Sequence, residues 1–223
     1  MAVNAEAEVA VSPATDPHSY LLLLRFALLN IIAFALVALA FANGLIQQAF
    51  DADATRFVAV IALVFAAGLA LTTWRVMWTS SQLNKARNFD PAQPSRAARY
   101  ITSVSTKDAQ SRQTMASGLR LELSQNITVI RHIGSSLVFL GLIGTVIGFI
   151  IALSGVDPDL AGEAETIGPM VSALIAGMST ALTTTLVGGV LNIWLMANYQ
   201  LLSTGTARLI NTIVERGEDL AGA

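Results

Sequence analysis

The run LGLIGTVIGFI, residues 140–150, decides the fold. Nothing in it is charged, and Gly141, Gly144 and Gly148 surround a single hydroxyl, Thr145. An interior glycine costs a helix about 0.5–1 kcal/mol relative to alanine, so three within two turns require a compensating contact. A bilayer supplies the reason. Lipid tails give helices little hydrophobic drive to associate, and small residues let two backbones approach until van der Waals contact holds them. The stretch therefore reads as a membrane helix with a packing face.

Composition agrees. The 223 residues are 54% hydrophobic and only 13% charged, with a mean hydropathy of +0.62, whereas a soluble domain is about a quarter charged. A spanning helix needs about 20 mostly apolar residues, because the hydrocarbon core is roughly 30 Å thick and a helix rises about 1.5 Å per residue. Residues 20–42, 57–78, 133–153 and 170–197 meet that length, and none of these segments contains an acidic residue. The expected fold is an all-α membrane protein with four transmembrane helices. Arg25 and Arg75 fall near span ends, where long side chains snorkel to the headgroups, and Trp74 and Trp78 flank Arg75 as an interfacial belt. With no cysteine, neither disulfides nor thiolate metal chemistry is available, and a net charge of −2 leaves no basic footprint for nucleic acid.

The loops orient the spans. Between the second and third lie Lys85, Arg87, Arg96, Arg99, Lys107, Arg112, Arg120 and Arg131 against only Asp90, Asp108 and Glu122. The positive-inside rule makes this segment cytoplasmic. The other two loops hold one basic residue, Arg56, beside Asp51, Asp53, Asp157, Asp159, Glu163 and Glu165. They read as solvated outer loops, with concentration of cations at an entrance as the alternative. Both termini then face the cytoplasm, in keeping with Arg208 and Arg216, and His132 beside Arg131 is interfacial. Residues 1–19 lack a basic n-region and read as a retained, loose cytoplasmic tail.

DPAQPS, residues 90–95, reads as a turn, and Pro158 and Pro169 are assigned turns in or beside an outer loop. Met115, Leu119, Leu123, Ile127 and Ile130 recur at helical spacing, so the third helix is expected to continue into the cytoplasm as one rod. Leu202, Leu209, Ile213 and Val214 suggest the same for the fourth, with Gly205 as its weak point. Helices 3 and 4 thus extend into a cytoplasmic helical bundle. The expected organisation is a tail over 1–19, peripheral lipid-facing helices over 20–79, a cytoplasmic helical segment over 80–131, a pore-lining core over 132–199 and a cytoplasmic helix and tail over 200–223.

The fourth span repeats the small-residue device. Ala173 and Gly177 lie four apart, Thr180, Thr184 and Gly188 form one row, and Ala181, Thr185 and Gly189 a second. Gly141, Gly144, Gly148, Gly177, Gly188 and Gly189 are the expected packing positions. A membrane threonine ordinarily bonds a carbonyl one turn back, yet Ser172, Ser179, Thr180, Thr183, Thr184 and Thr185 are denser than packing requires. Thr145, Thr185, Thr180, Thr184 and Ser179 are the candidate lining of an ion path. Spacing alone leaves Thr145 either level with Thr180 or one to two turns from Thr185. No Asp, Glu or His stands at mid-depth, so a proton path would need a titrating group from another chain.

These two motifs, LGLIGTVIGFI at 140–150 and GMSTALTTTLVGGVLN at 177–192, resemble the third and fourth helices of the MotA/TolQ/ExbB proton-channel family. The resemblance implies a homopentamer in the bacterial inner membrane around two copies of a MotB/TolR/ExbD-like single-span partner. The partner's membrane Asp would carry H+ or Na+ in transit, and the assembly would convert ion-motive force to mechanical work without a cofactor. By position, Thr145 and Thr185 match the family's pore threonines. Thr180 stands where ExbB-like members carry glutamate, and Val138 where flagellar stators carry proline, so the subfamily stays open. Two other readings compete: a passive scaffold of a membrane complex, and a self-contained channel. An enzyme is not expected, since no nucleophile beside a base, phosphate loop or metal cluster is present.

Overall fold

In a computed structural model the described residues are 21–87, 100, 103, 108–156 and 164–221. Five helices carry them: α1 (Leu21–Ala42), α2 (Leu45–Ala52), α3 (Phe57–Arg87), α4 (Ala109–Ser154) and α5 (Ala164–Ala221), with no strand among the described residues. Four of these, all but α2, are long and apolar enough to cross a membrane. The expected tail at 1–19, the turn at 90–95 and the acidic stretch at 157–163 lie outside the described residues.

Length separates the helices into two kinds. At about 1.5 Å per residue, α1 with 22 residues is about 33 Å long and matches a bilayer core of roughly 30 Å. The 46 residues of α4 and 58 of α5 make rods of about 70 and 87 Å, far longer than one crossing requires. α5 passes through Gly205 unbroken, because the missing side chain there accommodates Leu22 of α1. A first core joins Phe26 of α1 and Ile61, Phe65 and Val76 of α3 to Ile130 and Leu137 of α4 and Leu195 and Leu202 of α5. A second lies farther along the rods, where Leu83, Ala86, Tyr100, Leu123, Leu209, Ile210 and Ile213 meet. Arg112 and Glu218 pair at 3.4 Å near the ends of α4 and α5.

α1 has few buried side chains, Phe26 and Asn30, and exposes Leu24, Leu28, Ile31, Leu36 and Leu39. α3 is two-faced. Val58, Ile61, Phe65, Thr72 and Val76 are buried, and Val60, Leu63, Trp74 and Met77 are exposed. Gly68 is the small residue that brings α3 in, since a Cβ there would stand 2.9 Å from both Ile133 and Leu195.

Two features of the connections that the sequence reading took as loops differ from it. The segment after span 1 is not all loop: Gly44, at φ 74°, reverses the chain and starts α2. Pro169 lies inside α5 rather than in a turn. It follows Gly168, whose missing Cβ removes part of the clash that disfavours helical geometry before proline.

Candidate functional site

The seam between α4 and α5 is built by glycine. A Cβ on Gly144 would come 2.5 Å from Thr184, one on Gly148 2.5 Å from the Gly177 carbonyl, and one on Gly188 2.6 Å from the Leu137 carbonyl. A Cβ on Gly141 would stand 3.1 Å from the Thr184 carbonyl, and one on Gly177 would run into Ala152 and the Gly148 carbonyl. Backbone thus lies on backbone for about three turns. Gly189 does not take part, having nothing within 4 Å of its Cβ position.

This seam sets the vertical register that sequence spacing leaves open. Thr145 and Thr185 are level and hydrogen-bond to each other through their hydroxyls. Thr145 Oγ1 also reaches the Gly141 carbonyl at 3.1 Å and the Ala181 carbonyl at 3.4 Å, and Thr185 Oγ1 reaches the same Gly141 carbonyl at 3.2 Å. The pair is partly open to the outside, on a face otherwise built from exposed Leu142, Val146, Phe149, Leu182 and Leu186. Gly189, one turn beyond Thr185, leaves that face shallow.

Hydrogen-bond accounting defines what the pair offers. Each hydroxyl has one proton and two lone pairs. One proton is spent between the two threonines and the other on a helix carbonyl, so the closed pair presents lone pairs to a visitor. It suits a donor such as a protonated carboxylic acid or a water. To meet an ionised carboxylate, a hydroxyl must release its carbonyl and turn outward. That exchange costs about the net worth of one neutral hydrogen bond, roughly 0.5–1.5 kcal/mol, and is offset by a stronger charge-assisted one. No acidic or basic residue lies within 133–154 or 166–200, so the face itself supplies no charge.

The other candidate hydroxyls are placed elsewhere. Thr180 is fully buried, donates to the Ala52 carbonyl at 3.1 Å and accepts from the Ala54 amide at 3.3 Å, tying the α2–α3 connection to α5. Thr184 is fully buried in the seam and bonds the Thr180 and Ala181 carbonyls. Ser179 is half-buried. The structure brings Thr145 and Thr185 together and sets Thr180 and Thr184 inside the subunit.

Two polar groupings escape the sequence reading. Asp53, among the acids assigned to the outer loops, is turned inward with 3% exposure. Its carboxylate accepts from the Val58 amide at 2.6 Å and from the Thr55 amide and hydroxyl at 3.0 and 2.6 Å, so it caps the start of α3. Asn30 of α1 donates to Asn198 Oδ1 at 2.7 Å and to the Phe26 carbonyl at 2.8 Å, and accepts from Trp194 Nε1 at 3.0 Å. The Trp194 ring meets Phe34 edge to face and Phe65 at a tilt, with centroids 5.0 and 4.8 Å apart. The available signal was a lone asparagine in the first span and another one turn after a tryptophan in the fourth helix. Among the described residues no three His, Asp or Glu side chains form a metal-binding group.

No curated protein and no solved structure matches the chain. The model of the MotA/TolQ/ExbB proton channel family matches residues 92–215, more than half of it, including all of α4 and most of α5. The chain is a multi-pass membrane protein that belongs to the MotA/TolQ/ExbB proton channel family, and its role is accordingly that of an ion-channel or stator-type subunit rather than of an enzyme.

Proposed function

We propose that the chain is the ring subunit of an ion-driven motor of the bacterial inner membrane, a homopentamer around two single-span MotB/TolR/ExbD-like helices. The positive-inside distribution of Lys85, Arg87, Arg112, Arg120 and Arg131 supports a reading with both termini in the cytoplasm and the far ends of α4 and α5 as a bundle there. The observation that carries the reading is the Thr145–Thr185 pair, two joined hydroxyls on an exposed apolar face with no charge of their own.

A partner's carboxyl group docked on that face meets two opposed influences. Apolar surroundings raise its pKa by disfavouring the charged form, and hydroxyls that turn to donate lower it again. The neutral acid donates to the lone pairs of the closed pair, and the ionised acid recruits a turned hydroxyl. Proton or sodium exchange at that acid then changes which arrangement is favoured, a difference that can drive one helix past another.

Replacing both Thr145 and Thr185 with Val keeps shape and removes the hydrogen bonds. Loss of hydrogen bonds to a charged group is worth about 1.5–3 kcal/mol each, so motor output driven by ion-motive force should fall at least tenfold while the ring still assembles. Undiminished output from the double variant would end the proposal. Output that survives collapse of the ion-motive force would instead mark a passive scaffold.

A further inference from the structure

At the Leu21 end of α1 a cavity of about 80 Å³ opens between α1, α3 and α5. Arg25, Arg208, Thr204 and the backbone at Gly205 give it a polar wall, and Leu22, Leu83 and Leu201 an apolar one. That is ample room for water or a small polar group, since one water needs only about 10–15 Å³ of such volume. No acidic residue lines it, and among the described residues neither arginine is in an ion pair.

The depth of the cavity says what reaches it. α1 is a bilayer-length helix whose apolar run begins at Leu21, so this end marks the hydrocarbon boundary. Arg25 lies one turn inside that boundary and must snorkel outward. Arg208 lies just beyond Gly205, which Leu22 contacts, and approaches the same level from the water side. Two arginines therefore line one cavity at headgroup height. Beside them α1 exposes Leu24 at 63% and Leu28 at 58%, a bare aliphatic track running into the membrane.

We propose that this cavity is a binding site for the phosphate of an anionic glycerophospholipid. Arg25 and Arg208 hold the phosphodiester, Thr204, whose hydroxyl donates to the Gln200 carbonyl at 3.0 Å, can turn to donate to it instead, and an acyl chain lies along Leu24 and Leu28. Guanidinium forks match phosphate oxygens, and the basic loops put this end in the leaflet whose anionic lipids they attract. The inference does not depend on what the pore threonines do.

The test uses the purified full-length assembly in neutral detergent and measures thermal unfolding and lipid retention by native mass spectrometry. Dioleoylphosphatidylglycerol, dioleoylphosphatidylcholine and inorganic phosphate are added in turn. Each guanidinium near the surface is worth about 1 kcal/mol toward an anionic headgroup, or about fivefold in affinity at 1.4 kcal/mol per tenfold. Arg208→Gln should weaken phosphatidylglycerol retention about fivefold and Arg25→Gln/Arg208→Gln about 25-fold. Arg131→Gln, which removes a charge outside the cavity and so reads only the general attraction of the surface, should weaken retention less than Arg208→Gln does. Phosphatidylcholine should stabilise all variants equally, and free phosphate should stabilise none. Equal loss with Arg131→Gln, or unchanged retention in Arg208→Gln, overturns the site. Phosphate that reproduces the lipid's effect overturns the lipid as its source.

Discussion

Gly148→Ala probes the seam on which the Thr145–Thr185 pair depends. The added methyl would stand 2.5 Å from the Gly177 carbonyl, 2.6 Å from the Ala181 amide and 2.8 Å from the Ala181 Cβ, against ordinary contact at 3.4 Å and beyond. Two of those three neighbours are backbone and cannot swing aside, so α4 and α5 must separate by close to 0.9 Å. A gap of that size forfeits about a quarter to a half of the van der Waals well for each atom pair it opens. Overpacking of this kind typically costs about 1–3 kcal/mol, only partly offset by the roughly 0.5–1 kcal/mol that alanine gains as a helix former. Gly189→Ala is the matched control, on the same helix pair but with nothing within 4 Å of the new methyl. Thermal unfolding of the purified assembly should show Gly148→Ala several degrees below the parent, whereas Gly189→Ala stays at or above it in subunit stability. Equal stability of Gly148→Ala and the parent would refute the close-packed seam. A ring that dissociates in Gly189→Ala with its subunits intact would instead put Gly189 between subunits.

The buried amides make an asymmetric prediction. Asn30→Leu strands Trp194 Nε1 and Asn198 Oδ1, each orphan costing about 1–3 kcal/mol, while Asn198→Leu leaves Asn30 bonded to Phe26 and Trp194 and should cost less. Denaturant midpoints of the two variants check the order, and a milder effect from Asn30→Leu contradicts the network. Tyr100 predicts an alkaline limit. Burial, with Glu218 adding to it against Arg112 and Arg120, pushes its hydroxyl above the ordinary value of 10. The folded state therefore holds the proton longer than the unfolded state. The stability this contributes is full below pH 10 and disappears as pH rises through the raised folded value. Unfolding midpoints should fall more steeply above about pH 10 in the parent than in Tyr100→Phe, and parallel curves would remove Tyr100 from the account.

The spans were legible in the sequence because a bilayer demands unbroken apolar length, and Leu21–Ala42 starts and ends within a residue of the apolar run. The face that α4 turns to α5 was legible only in part: Gly141, Gly144, Gly148, Gly177 and Gly188 stand in small rows at helical spacing, but Gly189 in the same rows meets nothing and Gly68, in no such row, brings α3 in. Vertical alignment was not legible. A row of small residues says which side of a helix packs but not how far the partner slides, and only the fit of Gly144 to Thr184 and Gly148 to Gly177 fixes it. That one missing parameter decides which hydroxyls meet. Thr180 could not be placed for a different reason: its partners are the backbone groups of Ala52 and Ala54, which carry no side-chain signal. Asp53 looked solvated because sequence counts its charge and cannot see three donors converging on it. Pro169 was misplaced because proline near an apolar run ordinarily marks a boundary, and the compensating role of Gly168 is local geometry.

A seam this tight also limits where motion can occur. Close-packed backbones do not deform continuously, and α4 and α5 touch through the Gly148 and Gly177 carbonyls, the Leu137 carbonyl and Gly188, with few flexible side chains between. Thr180, whose hydroxyl donates to the Ala52 carbonyl, ties the α2–α3 connection to the same rod, and the Thr184 hydroxyl is spent on carbonyls of its own helix. On the function proposed above, conformational change is thus directed outward, to the face where Thr145 and Thr185 stand among Leu142, Phe149 and Leu182. Against a lipid-like apolar face with one polar station, a neighbouring helix slides at little cost until its own polar group reaches the hydroxyls. If the proposed ring forms, a rigid pair of rods with a single soft, hydrogen-bonding contact on its outer face suits stepwise movement between subunits better than bending within one.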